Sequence, residues 1–120
     1  MTNEQRAEQL IKKYGFDFDN ISKAEITGLI RDELDNYRHG SSEYLRALCG
    51  YLYCIGDKSD IPLLEKVKYG INMDVGCMID IEWIDSLKMD GAEGEYIRSR
   101  KEIIDDFVKY YLNFEADDEW

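Results

Sequence analysis

Side chains that commonly carry out nucleophilic or metal chemistry are few in this sequence and poorly spaced for it. A catalytic serine or cysteine needs a base, most often histidine, and the one histidine, His39, lies in the polar segment NYRHGSS. In such a turn a histidine is usually solvated or stabilised by a helix C-terminus. Cys49 and Cys54 are separated by about 140° around a helix, so they cannot ligate one ion together. We therefore predict no enzymatic activity, no bound metal and no cofactor.

Two further segments have a composition that ligand sites use, but each lacks the rest of the pattern. The loop GAEGEY (91–96) has two glycines before a helix, whereas a phosphate-binding loop has more glycines and follows a strand. The segment EADDEW (115–120) is acidic but lacks the spacing and the glycine of a calcium-binding loop. The loop is predicted to connect two helices. The tail is predicted to be either a solvated end or a contact for a cationic surface.

One carboxylate and one basic cluster leave alternatives open. On a helical wheel for 74–88, Asp80 falls between Ile84 and Leu87, which predicts a buried carboxylate. Such a group needs a partner, so we expect Asp80 either to bond an arginine or a tyrosine hydroxyl or to line a functional pocket. The cluster RSRK (98–101) is expected to pair within its own helix with acidic residues one turn away, which are Glu95, Glu102 and Asp105. Alternatively, its arginines contact an acidic patch of a partner.

Length and charge indicate one acidic globular domain. A chain of 120 residues, 44% of them hydrophobic, can bury a core. Its 26 acidic and 15 basic side chains give a net charge of −11, which disfavours nucleic-acid binding and attracts basic protein partners. An odd number of cysteines, three, is typical of reduced thiols in the cytosol. The sequence has neither a signal-peptide pattern nor a membrane-spanning apolar run, so we predict a cytoplasmic protein.

Apolar residues recur at helical spacing through most of the chain, which predicts an all-α fold. Capping residues and glycines divide the chain into about six helices. Their approximate ranges are 2–14, 22–38, 42–55, 60–70, 74–88 and 95–114. We predict a single helical domain over 1–114, followed by the acidic tail 115–120.

The only proline marks the start of the fourth helix. Pro62 follows Gly56 and Asp60, and a proline in the first turn of a helix loses no helical hydrogen bond. A glycine, a short polar turn, a capping aspartate and a proline are typical of a connection between two helices. This order predicts a tight antiparallel hairpin between the third and fourth helices.

Two helix pairs are related by an internal shift of 32 residues. The shift places Leu29 on Ile61, which are both apolar, and Ser42 on Asp74, which are both helix-capping residue types. With its turn GDKSDIPLLEKV, the segment 26–87 resembles HEAT-type repeats, although Met78 stands where that family usually has an arginine. The resemblance implies antiparallel helix pairs stacked as a short α-solenoid. An irregular helical bundle is the alternative.

The solenoid arrangement also implies a binding face. Second helices of solenoid units usually line one surface, and here these are the third and fifth helices. Arg46 and Tyr53 lie off the main apolar face of the third helix, and the internal shift carries them to Met78 and Asp85. Tyrosine, methionine and arginine are enriched at interface cores. The predicted partner-binding residues are Arg46, Tyr53, Asp74, Met78, Glu82, Trp83, Asp85, Glu115, Asp117, Asp118 and Glu119.

In size, acidity and aromatic content the chain resembles small bacterial immunity proteins, including those of contact-dependent growth inhibition. The resemblance implies an inhibitor that neutralises a toxin, often a basic nuclease, by masking its active or binding surface. Carboxylates would take the place of substrate phosphates, and Tyr53, Met78 and Trp83 would supply apolar anchors. The alternative is a HEAT-like adaptor or assembly protein for another cytosolic protein. A third hypothesis is an enzyme built around Asp80, and self-association is left open.

Overall fold

In the computed structural model of the protein, residues 1–94 and 96–116 are described. Within these ranges the chain forms seven α-helices and two short 3-10 helices, at Phe18–Asn20 and Lys58–Asp60. The α-helices are α1 (Asn3–Tyr14), α2 (Lys23–Asp35), α3 (Glu43–Ile55), α4 (Ile61–Gly70), α5 (Met73–Met78), α6 (Ile81–Lys88) and α7 (Arg100–Tyr111). The same ranges contain no strand. The predicted all-α class is therefore confirmed.

Local capping bonds set where the first two helices begin. The Thr2 hydroxyl accepts a hydrogen bond from the Gln5 amide, and the Gln5 side chain accepts one from the Thr2 amide, which is a capping box. Ser22 accepts from the Glu25 amide at the start of α2. α1 ends at Gly15, whose φ of 61° lies in the left-handed region that favours glycine. The predicted limits of the first helix are confirmed.

The prediction of one continuous fifth helix over 74–88 is wrong, because two helices occupy this segment. The Asn72 side chain starts α5 by accepting a hydrogen bond of 2.9 Å from the Val75 amide. At Ile79 and Asp80 the backbone is extended, which separates α5 from α6. The helical spacing of apolar residues continues through this break, so the sequence pattern alone did not reveal it.

A lysine from α4 stabilises the end of α5. The Lys68 ammonium donates to the carbonyl oxygens of Gly76 and Ile79, at 2.7 and 2.6 Å. These carbonyls belong to the last turn of α5 and to the break, where oxygens have no partner within the helix. The position of the break therefore depends on a contact with another helix.

Other helix limits also differ from those predicted, and α7 ends at Tyr111 instead of 114. α2 ends three residues before Arg38, because Asn36 leaves the helical conformation and the Arg38 amide donates to the Glu33 carboxylate at 3.3 Å. α7 begins five residues after the predicted start, where the Ser99 hydroxyl accepts from the Glu102 amide at 3.3 Å. In both cases a hydrogen bond between a side chain and a backbone amide accompanies the helix end.

Helix α3 lies at the centre of the fold. Ten of its 13 residues are buried, because α1, α2, α5 and α6 all pack against it. By contrast, α4 packs mainly against α5 and α6, and the tight hairpin of the third and fourth helices stays a prediction. Between α3 and α4 the chain passes through the 3-10 helix Lys58–Asp60, where Asp57 and Asp60 form a capping box. This packing is consistent with both predicted arrangements, the short α-solenoid and the irregular bundle.

Candidate functional site

Two of the predicted anchor residues belong to the core. Tyr53 has no exposed surface, and its hydroxyl lies 2.8 Å from the Ser86 hydroxyl on α6. Its ring stacks on Trp83, which is only 2% exposed. The expectation that Tyr53 lies outside the core is therefore wrong, because Ser86 provides the hydrogen-bond partner that a buried tyrosine hydroxyl needs. Neither ring is accessible to a partner in this conformation.

Glu82, another predicted contact, is held by an ion pair between α6 and the loop before α7. The Arg98 guanidinium donates to both Glu82 carboxylate oxygens, at 2.7 and 3.1 Å, and also bonds Asp106 on α7. Hydrogen bonding by Arg98 is the main cause that lowers the pKa of Glu82 below its ordinary value. The prediction of pairing within one helix is wrong for Arg98, whereas Lys101 does pair with Asp105 four residues along α7.

The second arginine of the basic cluster is also used inside the molecule. Arg100 Nη2 lies 2.8 Å from the Tyr53 carbonyl oxygen, 3.1 Å from that of Cys54 and 3.0 Å from that of Gly56. These oxygens belong to the end of α3, where helical carbonyls lack partners and a positive charge is favoured. Arg100 therefore ties the start of α7 to the end of the central helix.

We expect replacement of Arg100 by methionine to lower the free energy of unfolding by about 2 to 3 kcal/mol, the range for hydrogen bonds made by charged groups. Methionine keeps much of the apolar stem but donates no hydrogen bond. Lys101→Met is the matched control, because Lys101 is exposed and makes only a surface pair, which is worth less than about 1 kcal/mol. Urea denaturation followed by circular dichroism measures both. Equal effects of the two variants would contradict the assigned contact.

The prediction of a buried Asp80 is wrong. The extended backbone at the α5–α6 break places its side chain at the surface, where it accepts a hydrogen bond of 2.9 Å from the Glu82 amide and so caps α6. Helix capping of this kind is an ordinary structural role, and it uses one of the two carboxylate oxygens of Asp80. Asp80 also lines a surface groove, which we call the Arg46 groove.

The Arg46 groove has a volume of about 350 Å³ and lies between α3, α6 and α7. The Arg46 guanidinium carbon lies 4.0 Å from the centre of the Tyr110 ring and 5.4 Å from the ring centres of Trp83 and Tyr111. Stacking of a guanidinium on aromatic faces is favourable. Arg46 Nη1 is buried and has no hydrogen-bond partner among the described residues. The other charged groups that line the groove are Asp80, Arg98, Asp106 and Lys109.

A buried carboxylate fixes the tyrosines beside Arg46. Glu43, at the start of α3, accepts hydrogen bonds from the hydroxyls of Tyr110 and Tyr111, at 2.9 and 2.5 Å. Burial is the largest cause that raises the pKa of both tyrosines, and the nearby Glu43 charge raises it further. Both tyrosines therefore stay protonated and donate to Glu43 at neutral pH. The contact holds the Tyr110 ring over Arg46.

An exposed apolar patch surrounds the junction of α4 and α5. We define this α4–α5 patch as Tyr69, Ile71, Met73 and Cys77, which line a groove of about 550 Å³. Tyr69 is 66% exposed and Met73 is 81% exposed. Large apolar side chains that cluster at a surface commonly mark an interaction site. The helix α5, which contains Met73 and Cys77 of this patch, is held in place by the Lys68 hydrogen bonds described above.

The remaining predicted contact residues differ in their accessibility. Asp74 directly follows the α4–α5 patch and is exposed, Met78 and Asp85 are half-buried, and Glu115 is exposed. The other predicted contacts in the tail, Asp117, Asp118 and Glu119, lie outside the described residues. Arg46, Glu82 and Trp83 are brought together around the Arg46 groove, whereas Asp74 lies at the separate α4–α5 patch.

Sequence reasoning missed Tyr69, Met73 and Tyr110. A signal for the first two was available, since Tyr69 and Met73 flank the segment GIN and lie off the apolar stripe of Leu64 and Val67. Bulky apolar residues off the core face of a helix are candidates for exposure. No comparable signal exists for Tyr110, because its neighbour Arg46 is far away in sequence.

The groups considered for catalysis and metal binding lie apart. His39 is exposed beside the Tyr37 ring. Cys49 and Cys54 are buried free thiols, and burial raises the pKa of both, that of Cys54 to about 12. In residues 1–94 and 96–116, no group of three or more histidine, cysteine, aspartate or glutamate side chains is arranged to hold a metal ion. No helix within those ranges has the length and apolar character to cross a membrane.

Comparison of the chain with protein-family models, with curated proteins and with solved structures finds no match.

Proposed function

We propose that this protein binds and inhibits another protein that has a basic surface, as an immunity protein does with a bacterial toxin. The observation that carries the proposal is the α4–α5 patch, in which Tyr69 and Met73 are strongly exposed. Aromatic and methionine side chains are enriched at the centres of protein interfaces, where they contribute most of the binding energy. Asp74 borders this patch and makes no ion pair with another described residue.

The charge of the chain supports a basic partner. Subtracting 15 basic from 26 acidic side chains leaves 11 carboxylates that no basic group of this chain can neutralise. A surface of this kind accelerates encounter with a positively charged protein and repels a negatively charged one. Nuclease toxins bind phosphate through cationic surfaces, which are the surfaces that exposed carboxylates would cover.

The proposed mechanism is masking of the partner's cationic site. Tyr69 and Met73 would insert into apolar contacts of the partner, and Asp74 and Asp85 would pair with its lysine and arginine side chains in the place of substrate phosphates. These residues replace the buried Tyr53 and Trp83 as anchors. Glu82 would contribute less, because Arg98 already occupies both of its oxygens.

A growth assay tests the proposal. We expect the product of the adjacent gene to stop growth of a bacterial host when expressed alone, and co-expression of this chain to restore growth. The association rate of the purified pair should fall by about tenfold or more when salt rises from about 0.05 M to about 0.5 M, because salt screens the attraction. A harmless adjacent gene product would contradict the proposal. A cytosolic partner bound with little salt response would favour the adaptor alternative.

Substitutions on the protein locate the interface when binding of the same purified pair is measured. Tyr69→Ala is expected to weaken binding by about 30-fold or more, the scale of an interface hot spot. Tyr96→Ala is the matched control, because Tyr96 is equally aromatic and 89% exposed but lies in the loop before α7. Asp74→Lys should slow association, whereas Asp19→Lys makes the same charge change on the first 3-10 helix. Equal losses for the variants and their controls would place the interface elsewhere.

A further inference from the structure

Arg46 is a cation that lies among aromatic rings and has one guanidinium nitrogen without a hydrogen-bond partner among the described residues. The rings of Tyr110, Trp83 and Tyr111 lie around the planar guanidinium at 4.0 to 5.4 Å. Contacts with ring faces stabilise the charge but accept no in-plane N–H hydrogen bond. A guanidinium that lies against rings therefore still needs hydrogen-bond acceptors for its N–H groups.

The unpaired Nη1 of Arg46 is costly unless an acceptor reaches it. Nη1 is buried without a hydrogen-bond partner among the described residues, and an unmet donor on a charged, buried group is among the more expensive defects in a protein. The nearby carboxylates are engaged with other groups: Asp80 accepts from the Glu82 amide and Asp106 pairs with Arg98. Glu43 accepts from Tyr110 and Tyr111.

The groove has the chemistry of an anion site within an acidic molecule. Lys109 also lines it and makes no ion pair with a described residue, so two cations there have donors available. Ile103, Phe107 and Tyr110 supply an apolar wall. Among anions, a carboxylate matches the planar fork of arginine with two parallel hydrogen bonds, and an attached apolar group would lie along the wall.

We infer that the Arg46 groove binds a carboxylate group that carries an apolar or aromatic substituent. Arg46 donates two parallel hydrogen bonds to the carboxylate, and Lys109 supplies a second positive charge. The inference is independent of the proposed inhibitor function, because it concerns a different surface from the α4–α5 patch. The carboxylate can belong to a free small molecule or to an acidic side chain of a partner. Both sources use the same bonds.

Fluorescence titration of the full chain tests the inference. The Trp120→Phe variant leaves Trp83, beside Arg46, as the single tryptophan reporter. We expect benzoate to change its fluorescence saturably in the millimolar range and benzamide, its uncharged analogue, to have no such effect. N-acetylglutamate amide represents an acidic side chain of a partner. Preference for benzoate indicates a small-molecule site, and preference for the glutamate derivative indicates a partner's side chain.

Three variants separate the site from nonspecific effects. Arg46→Lys keeps the charge but loses the fork, and should weaken benzoate binding by about tenfold or more. Arg31→Lys, at an exposed arginine of α2, is the matched control and should leave binding unchanged. Lys109 and Asp106 are exposed, so their replacement should leave the fold intact. Lys109→Gln should weaken benzoate binding by about threefold, and Asp106→Asn should strengthen it by about threefold.

Each outcome of the titrations either supports or contradicts the carboxylate site. Saturable binding of benzoate or the glutamate derivative that depends on Arg46 and Lys109 supports the carboxylate site. Benzamide binding as tightly as benzoate, equal effects of Arg46→Lys and Arg31→Lys, or no saturation by either carboxylate would each overturn it. Circular dichroism confirms that the variants compared are folded.

Discussion

Replacing Gly50 with alanine is expected to lower the free energy of unfolding by about 2 to 3 kcal/mol, the usual cost of overpacking a core. Gly50 lies within the central helix α3, where alanine would ordinarily be favoured by about 1 kcal/mol. Here a β-carbon would fall 2.1 Å from Cε1 and 2.4 Å from Cδ1 of Phe107. Because glycine has no side chain, the Phe107 ring of α7 can lie directly on α3.

Phe107 cannot move aside at low cost, because aromatic rings enclose it. Its ring centre lies 5.0 Å from that of Tyr111, 5.3 Å from that of Tyr51 and 6.3 Å from that of Trp83. Close-packed interiors transmit such a displacement to the neighbours instead of absorbing it. The clash should therefore appear as lost stability and as a change in Trp83 fluorescence.

Gly28 provides the matched control for this prediction. It lies within α2, and a β-carbon built there meets no atom within 4 Å. Gly28→Ala should therefore raise the free energy of unfolding by about 0.5 to 1 kcal/mol, the difference in helix propensity. Opposite signs for the same substitution in two helices are the expected result in denaturant unfolding. A stabilising Gly50→Ala would contradict the packing of α7 on α3.

A double-mutant cycle identifies Phe107 as the cause. Phe107→Leu removes the ring edge that a β-carbon at Gly50 would meet. In that background Gly50→Ala should be neutral or stabilising, so the coupling energy between the two positions is about 2 to 3 kcal/mol, within the range for residues in contact. Additive effects would show that the loss at Gly50 arises from some other neighbour.

The parts of the fold that sequence reasoning predicted depend on interactions between neighbouring residues. Thr2 and Gly15 limit α1 through bonds that span only a few positions, and Pro62 lies in the first turn of α4 as expected. The break between α5 and α6 depends instead on Lys68 of another helix. Apolar periodicity records which face of a segment is buried, and it continues across a break that a distant side chain creates.

The candidate site was predicted only in part for the same reason. Arg46 was selected because it lies off the apolar face of its helix, and it does border a surface groove. Its aromatic neighbours on α7 are more than 60 residues away in sequence (110 − 46 = 64). Tyr53 was misplaced because its buried hydroxyl depends on Ser86, 33 residues away. A polar group can be buried wherever such a partner exists, and no local pattern reveals it.

Raising the pH above about 10, the ordinary tyrosine pKa, is expected to unfold the protein cooperatively. Burial is the main cause that raises the pKa of Tyr51, Tyr53 and Tyr111, and each ring is at most 1% exposed. Below the unfolded pKa these tyrosines are protonated in both states, so they add no pH dependence to the stability. Above it the unfolded chain releases protons that the folded chain retains, and stability falls as pH rises.

The size of this effect follows from proton linkage. Between its unfolded and its folded pKa, each such tyrosine lowers stability by about 1.4 kcal/mol per pH unit, so three together give about 4 kcal/mol per unit while all three remain protonated in the folded state. Because domains are stable by about 5 to 15 kcal/mol, we expect unfolding to set in above about pH 11. Circular dichroism and the ultraviolet absorbance of tyrosinate should change together. Gradual tyrosine ionisation with retained helicity would contradict the buried cluster.

One substitution assigns part of this slope to a single hydroxyl. Tyr53→Phe removes a buried ionisable group together with its contact to Ser86, and should reduce the alkaline slope by about 1.4 kcal/mol per pH unit, the contribution of one proton. Stability at neutral pH should fall by about 1 kcal/mol, the usual value of one hydrogen bond. Tyr96→Phe, which removes a hydroxyl from an 89% exposed ring, is the matched control. Because the lost bond lowers stability at every pH, only a change in slope identifies the titration of Tyr53.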